Sequence, residues 1–346
     1  MGSRVVLTRA TGALASLLLA AACSVERSPT AVGPSDRAAV STPDRAVALS
    51  VSSAEHEVLD HAVIHPTVEA MKAIHAARKG GGGSPEVFYN GGVGGIGVET
   101  APRVFVVFWG SQWSDDPSGE AALVQSFLSS VGGSSWLNSV TQYCQGVAPN
   151  TVYCNGAGTP AGNPKGILVG VWFDNAASAP SKPHQSALAT EAVSAALHFG
   201  NVTPASNASA QYVIATSHGN NATGFGSQYC AYHSSASSSY GNVAYTNLPY
   251  ITDAGASCGA NFNNLGPNAG ITIVEGHELA ETITDQFPDG GWLDGQGGEI
   301  GDKCAWITSG QGAIADVSFG KASYPVQSLW SNAFNSGAGG CVQSYQ

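Results

Sequence analysis

The residues best suited to chemistry fall in one stretch, Val274-Glu275-Gly276-His277-Glu278-Leu279-Ala280-Glu281. His277 and Glu281 are four apart, so on a helix they share a face one turn apart and can reach one metal ion. Glu278 takes the general-base position of the zinc-peptidase pattern H-E-x-x-H. Glu281 stands where that pattern has its second His. A carboxylate oxygen ligates zinc at roughly 2.0–2.2 Å, close to the imidazole distance, so the geometry of the pattern is kept. The alternative is a plain His277–Glu281 pair on a half-exposed helix. Ile271, Ile273, Val274, Leu279 and Ile283 cover several faces of the same helix and predict that it is mostly buried. Buried carboxylates without a partner are costly, so Glu278 and Glu281 require a cation, a partner or a cleft.

A catalytic zinc takes three protein ligands and leaves a fourth position open. The acidic segment Gly298-Glu299-Ile300-Gly301-Asp302-Lys303-Cys304 offers Glu299 and Asp302 as the third ligand. Glu299 is preferred, with Asp302 supporting it from behind. His233, in Cys230-Ala231-Tyr232-His233, and His218, after an apolar run, are the other candidates, as a third ligand or as donors to a developing oxyanion. Asp289, Asp294, Glu299 and Asp302 are also clustered enough to suggest a calcium loop instead. His56, His61, His65 and His75 lie upstream and read as the polar face of a helical stretch.

These residues must be held by a scaffold. Arg103–Trp109, Gly166–Phe173 and Tyr212–Ala215 are short apolar runs that read as buried strands. Residues 117–131 and 184–198 have helical spacing, and the motif helix spans about 269–285. Strand alternating with helix predicts an α/β (α+β) fold, a mixed sheet with helices packed on it. A Gly-, Ser- and Asn-rich, cysteine-linked region runs to about Pro267, and 286–346 reads as loops and short strands, the clearest at Tyr324–Trp330.

The chain begins with Arg4 and Arg9, then an apolar run from Gly12 to Ala22 that is too short to span a bilayer and reads as a signal peptide, residues 1–22. Leu19-Ala20-Ala21-Ala22-Cys23 looks like a bacterial lipobox, which would make Cys23 a lipid anchor to the membrane; ordinary cleavage after the same Ala run is the alternative. Residues 23–84 read as a tether or propeptide with a helical segment, ending in the linker Gly80-Gly81-Gly82-Gly83-Ser84-Pro85. The main domain is then expected over 85–346. Six cysteines remain after Cys23, an even number that fits disulfides in an exported chain. About 15 connectivities are open to six cysteines, and pairing of neighbours (Cys144–Cys154, Cys230–Cys258, Cys304–Cys341) is the simplest. With 13 Lys and Arg against a net charge of −11 and no basic stripe, nucleic acid is excluded as a partner. A serine hydrolase is excluded by the lack of a G-x-S-x-G elbow.

The stretch from about Phe225 to Cys304 resembles the EXORDIUM-like, phosphate-induced protein family of secreted plant and bacterial proteins. The likeness lies in Cys230-Ala231-Tyr232-His233, Asn247-Leu248-Pro249-Tyr250, Cys258, Val274–Glu281 and Glu299–Cys304, in that order. It implies a secreted, disulfide-bonded domain, in plants tied to cell-wall growth, with a zincin-like helix. Two functions are carried forward. The first is an exported or surface-anchored zinc peptidase, with His277, Glu281 and Glu299 on the metal and Glu278 as base, acting on a peptide or protein. The second is a non-catalytic module, stabilised by zinc or calcium, that binds a cell-wall polymer or a surface partner.

Overall fold

The computed structural model describes residues 59–78 and 86–345. The expected signal peptide, the expected lipid anchor at Cys23, the tether up to residue 58 and the Gly80–Pro85 linker lie outside the described residues.

The three apolar runs are strands of one six-stranded mixed sheet. Its members in chain order are β1 (Val63–Pro66), β2 (Arg103–Trp109), β3 (Leu168–Asp174), β4 (Ala210–Thr216), β5 (Tyr229–Ser238) and β6 (Gly241–Leu248). Across the sheet they run β1-β5-β6-β4-β2-β3. β2 is parallel to both β3 and β4, and β4 is parallel to β6. β5 and β1 then add antiparallel at one side. The alternation of β2 feeds two cores: Val104, Val106 and Phe108 face one way, Phe105 and Val107 the other. Helix α1 (Val68–Arg78) follows β1 and buries Met71 in the first core. Helix α2 (Glu120–Val131) and helix α4 (Ala269–Thr284) cover the same face. Helix α3 (Gln185–His198) covers the other, through Leu188, Ala192, Ala195 and Ala196.

All sixteen residues of α4 are buried. Its many β-branched residues make it a poor helix in isolation, so packing must hold it. The sheet lies on one side, and on the other lies a hairpin of β7 (Ala315–Phe319) and β8 (Ala322–Val326). Gly270 allows the closest approach: a Cβ there would sit 1.9 Å from the Cys258 carbonyl oxygen.

Three disulfides join Cys144–Cys154, Cys230–Cys258 and Cys304–Cys341, the neighbour pairing. They fit an oxidising environment. Among the described residues, no helix is long and apolar enough to cross a membrane.

Three features depart from the sequence reading. The Ser- and Asn-rich stretch, in which the sequence predicts no strand, contains β5 and β6, a hairpin with a two-residue turn, because burial against the cores outweighs weak strand propensity. β3 is an edge strand with Val169 and Phe173 exposed, although its apolar run suggested full burial. The packed structure also includes Val63–Arg78, upstream of the expected boundary at Pro85, since β1 completes the sheet.

Candidate metal centre

Helix α4, strand β5 and the loop Gly298–Cys304 meet on the first face of the sheet. The motif helix presents His277 and Glu281 one turn apart, with Nε2 and Oε2 3.0 Å from each other. β5 brings His233, whose Nε2 lies 3.8 Å from Glu281 Oε2 and 2.9 Å from Glu299 Oε2. Asp302 Oδ1 lies 3.9 Å from His277 Nε2. Donors around a zinc at about 2.1 Å are separated by roughly 3.4 Å, and the separations within the His233–Glu281–Glu299 group and within the His277–Glu281–Asp302 group lie on either side of that value. His233, His277, Glu278, Glu281 and Glu299 have no exposed surface.

Neighbours fix the orientation of the donors. The Gln327 amide nitrogen donates to the Gly301 carbonyl at 2.8 Å, so its oxygen faces His277 Nδ1 at 3.2 Å. Nδ1 must then carry the proton, which leaves Nε2 as the donor atom toward Glu281. Glu281 Oε1 accepts from the backbone N–H groups of Gly301 (3.0 Å) and Asp302 (2.8 Å), which turns Oε2 toward the two histidines. A Cβ at Gly301 would lie 2.7 Å from His277 Nδ1 and 2.8 Å from Glu281 Oε1, so no side chain fits there. The loop is pinned by Cys304–Cys341 and by Lys303, which donates to Asp294 at 2.8 Å and lies over the Trp330 ring.

The electrostatics are those of too many carboxylates in one dry place. Burial pushes Glu299 well above its usual range, and Glu281 and Asp285 push it further. Burial alone would also raise Glu281, but His277 and then His233 hold it down at about 2. His277 is raised: burial opposes this, and the charges of Glu281 and Asp302 with the Gln327 contact overcome it. Burial lowers His233 to about 4. Glu278 is raised well above its range by burial and by Glu281, Glu275 and Asp302, partly offset by the His65 backbone. Glu278 Oε1 and Oε2, Glu281 Oε2, Glu299 Oε1 and His233 Nδ1 make no hydrogen bond. Buried orphans of this kind call for a cation.

Among the described residues, three groups of side chains could hold a metal ion: His233, Glu281 and Glu299; His277, Glu281 and Asp302; and His65, His277 and Glu278. Glu281 is shared by the first two and His277 by the last two. The structure thus unites His277, Glu278, Glu281, Glu299, Asp302 and His233. His218 is elsewhere, half-exposed, with Nδ1 2.6 Å from Asp253. Asp294 is engaged by Lys303 and by the backbone of Gln296 and Gly298.

The third group corrects one reading. His65, taken for part of a polar helical face, is on β1, fully buried, with its ring stacked on His277 at 3.8 Å. Burial and the charge of His277 hold it well below its usual value, and neither ring nitrogen has a partner. Gln327 and Gly301 were also missed. A buried Gln after an apolar strand is the only trace of the first, and nothing in a Gly-rich sequence marks the second. Two surface cavities, one of about 320 Å³ beside Tyr153 and one of about 480 Å³ beside Val193, do not reach any of these residues.

No family model, curated protein or solved structure matches this chain.

Proposed function

We propose that the chain is an exported zinc protein of the hydrolase type, with peptides as substrates. The observation that carries this reading is a buried carboxylate shared by two adjoining groups on α4 and β5: Glu281 Oε2 lies 3.0 Å from His277 Nε2 and 3.8 Å from His233 Nε2, Asp302 completes the group of His277, Glu299 that of His233, and Glu278 is next to His277. Each group offers an imidazole nitrogen, which favours zinc over calcium, an ion that takes oxygen ligands. Beside Glu281 and one histidine, the third ligand would be Glu299 with His233 or Asp302 with His277. Export is supported by the three disulfides, by the signal-peptide pattern of residues 1–22 and by the likeness to secreted EXORDIUM-like proteins.

Zinc would activate a water molecule and polarise a peptide carbonyl. With zinc bound, Glu278 would take the proton as the water oxygen bonds to the carbonyl carbon, and would return it to the leaving amine as the C–N bond breaks. His218 pairs with Asp253 and belongs to none of these groups, and His233 belongs to the group of Glu281 and Glu299.

A second reading has its own support. Structural zinc sites are closed, while catalytic ones keep an open position, and this site is closed. Zinc would then brace the C-terminal loop against the sheet in a non-catalytic surface module, one suited to a wall polymer or a protein partner.

The test common to both is metal content of the purified full chain. About one zinc per chain is expected, lost in Glu281→Ala and kept in Glu278→Gln. No zinc in the wild-type chain, or zinc unaffected by Glu281→Ala, would sink the metal centre.

A further inference from the structure

The strand that closes the site comes from the chain before the Gly80–Gly83 run. β1 pairs antiparallel with β5, Val63 opposite His233 and His65 opposite Ala231. Opposed residues in such a pair share a face, so His65 and His233 both point toward α4. Without β1, β5 would be the edge of the sheet. An edge strand offers a row of unpaired N–H and C=O groups that an extended peptide can fill. The His65 ring lies between His277 at 3.8 Å and Trp306 at 4.9 Å. Trp306 holds a left-handed backbone, φ 56°, which is costly for a bulky residue and persists only where the surroundings impose it. It donates from its indole to the Pro66 carbonyl at 2.8 Å and so clamps the end of β1. The strand itself is only four residues long, with an irregular register at His65–Pro66.

We infer that β5 is the peptide-binding edge of the metal centre and that Val63–Pro66 occupies it as an internal stand-in for an extended substrate. This rests on the hydrolase reading. An extended peptide lying antiparallel on β5 would run where β1 runs, beside His277 and Glu278. The chain with β1 in place is therefore latent, and the closure of the site reflects its occupant. A segment that can leave accounts for a donor set with a base beside it that is sealed by an imidazole making no hydrogen bond.

The test uses the full chain loaded with zinc and a site-specific protease sequence inserted between Gly81 and Gly82. Two properties are followed before and after cutting, and in His65→Ala: the rate at which dipicolinate strips zinc, and hydrolysis of fluorescein-labelled casein. The expected result is zinc retained at equilibrium, stripped at least 10-fold faster after cutting or in His65→Ala, with casein hydrolysis appearing. A synthetic peptide spanning Leu59–Arg78 should reverse both. Stripping within twofold of the intact chain in both forms would overturn the proposal, since β1 would not cover the metal. Zinc lost outright would also overturn it, by making His65 a ligand. Zinc absent even from the intact chain would be failure of the metal centre itself, visible before any cut is made.

Discussion

The rings of His65 and His277 stack 3.8 Å apart with their planes 6° from parallel, which ties strand β1 to the motif helix. Both nitrogens of His65 are buried without a hydrogen bond. A polar atom left that way costs free energy that an apolar ring of similar shape would not. In metal-free protein, His65→Phe is thus expected to match or exceed the wild-type melting temperature, because the stack is kept and the orphaned atoms are gone. His65→Ala should be lower by several degrees, since it leaves a cavity at the cost of about 2–5 kcal/mol typical of large-to-small changes. Thermal melts of the two variants decide the point. A Phe variant as unstable as the Ala variant would mean that the nitrogens matter in the absence of metal.

The donor set makes a second prediction. His277→Ala and His233→Ala each remove a nitrogen that faces Glu281 or Glu299. Each is expected to weaken zinc binding by about 100-fold or more, given that even supporting residues are typically worth about 10–100-fold. His218→Ala should stay within about threefold, as His218 sits with Asp253 outside the cluster. Competition with a zinc-binding dye measures all three. Equal losses for His218 and His233 would mean that zinc is bound somewhere else.

The pair His277–Glu281 was legible in the sequence because one helical turn is a local relation, independent of the rest of the fold. Strands β2 and β4 were legible because apolar runs at the centre of a parallel sheet have no polar positions to blur them. His233 was visible as a candidate, but its role was not, since only the register of β5 against β1 and β6 brings it to α4. His65 was invisible: it reaches His277 across more than two hundred residues of chain, from a segment whose spacing read as part of a helix. The hairpin of β5 and β6 was hidden by its Ser and Asn content, which is that of a loop until burial is known.

Gly301 gives a third prediction. Its φ is −79°, which any residue can adopt, so an added side chain is opposed by space alone. The Cβ of Gly301→Ala would meet His277 Nδ1 and Glu281 Oε1, the two atoms that orient the donors, at 2.7 and 2.8 Å. The expected outcome is a folded protein with intact disulfides and zinc affinity lower by about 10–100-fold. Isothermal titration with zinc, beside a far-ultraviolet circular dichroism spectrum, tests this. Unchanged affinity would show that the loop can retreat and that its backbone does not set the site.

Glu99 makes a pH-dependent prediction away from the metal. It is fully buried at the sheet, with Oε2 accepting from Gln211 at 2.8 Å and Oε1 without a partner. Burial raises its pKa to about 8, with Gln211 and Arg103 opposing. A carboxyl raised on folding favours the folded state fully below its unfolded value of about 4.5, and that contribution is lost as pH rises through about 8. Glu120 and Glu275, each raised to about 8 chiefly by burial, act in the same sense. Chelator-treated wild-type protein should therefore melt at progressively lower temperature between pH 5 and 9. Glu99→Gln mimics the neutral acid, so it should equal wild type near pH 5 and melt on the order of 5 °C higher at pH 9. Melting curves across that range would show the two profiles diverging only on the alkaline side. Profiles that stay parallel would mean that Glu99 ionises in the folded state without penalty, through water reaching Oε1, and that the loss of stability belongs to Glu120 and Glu275.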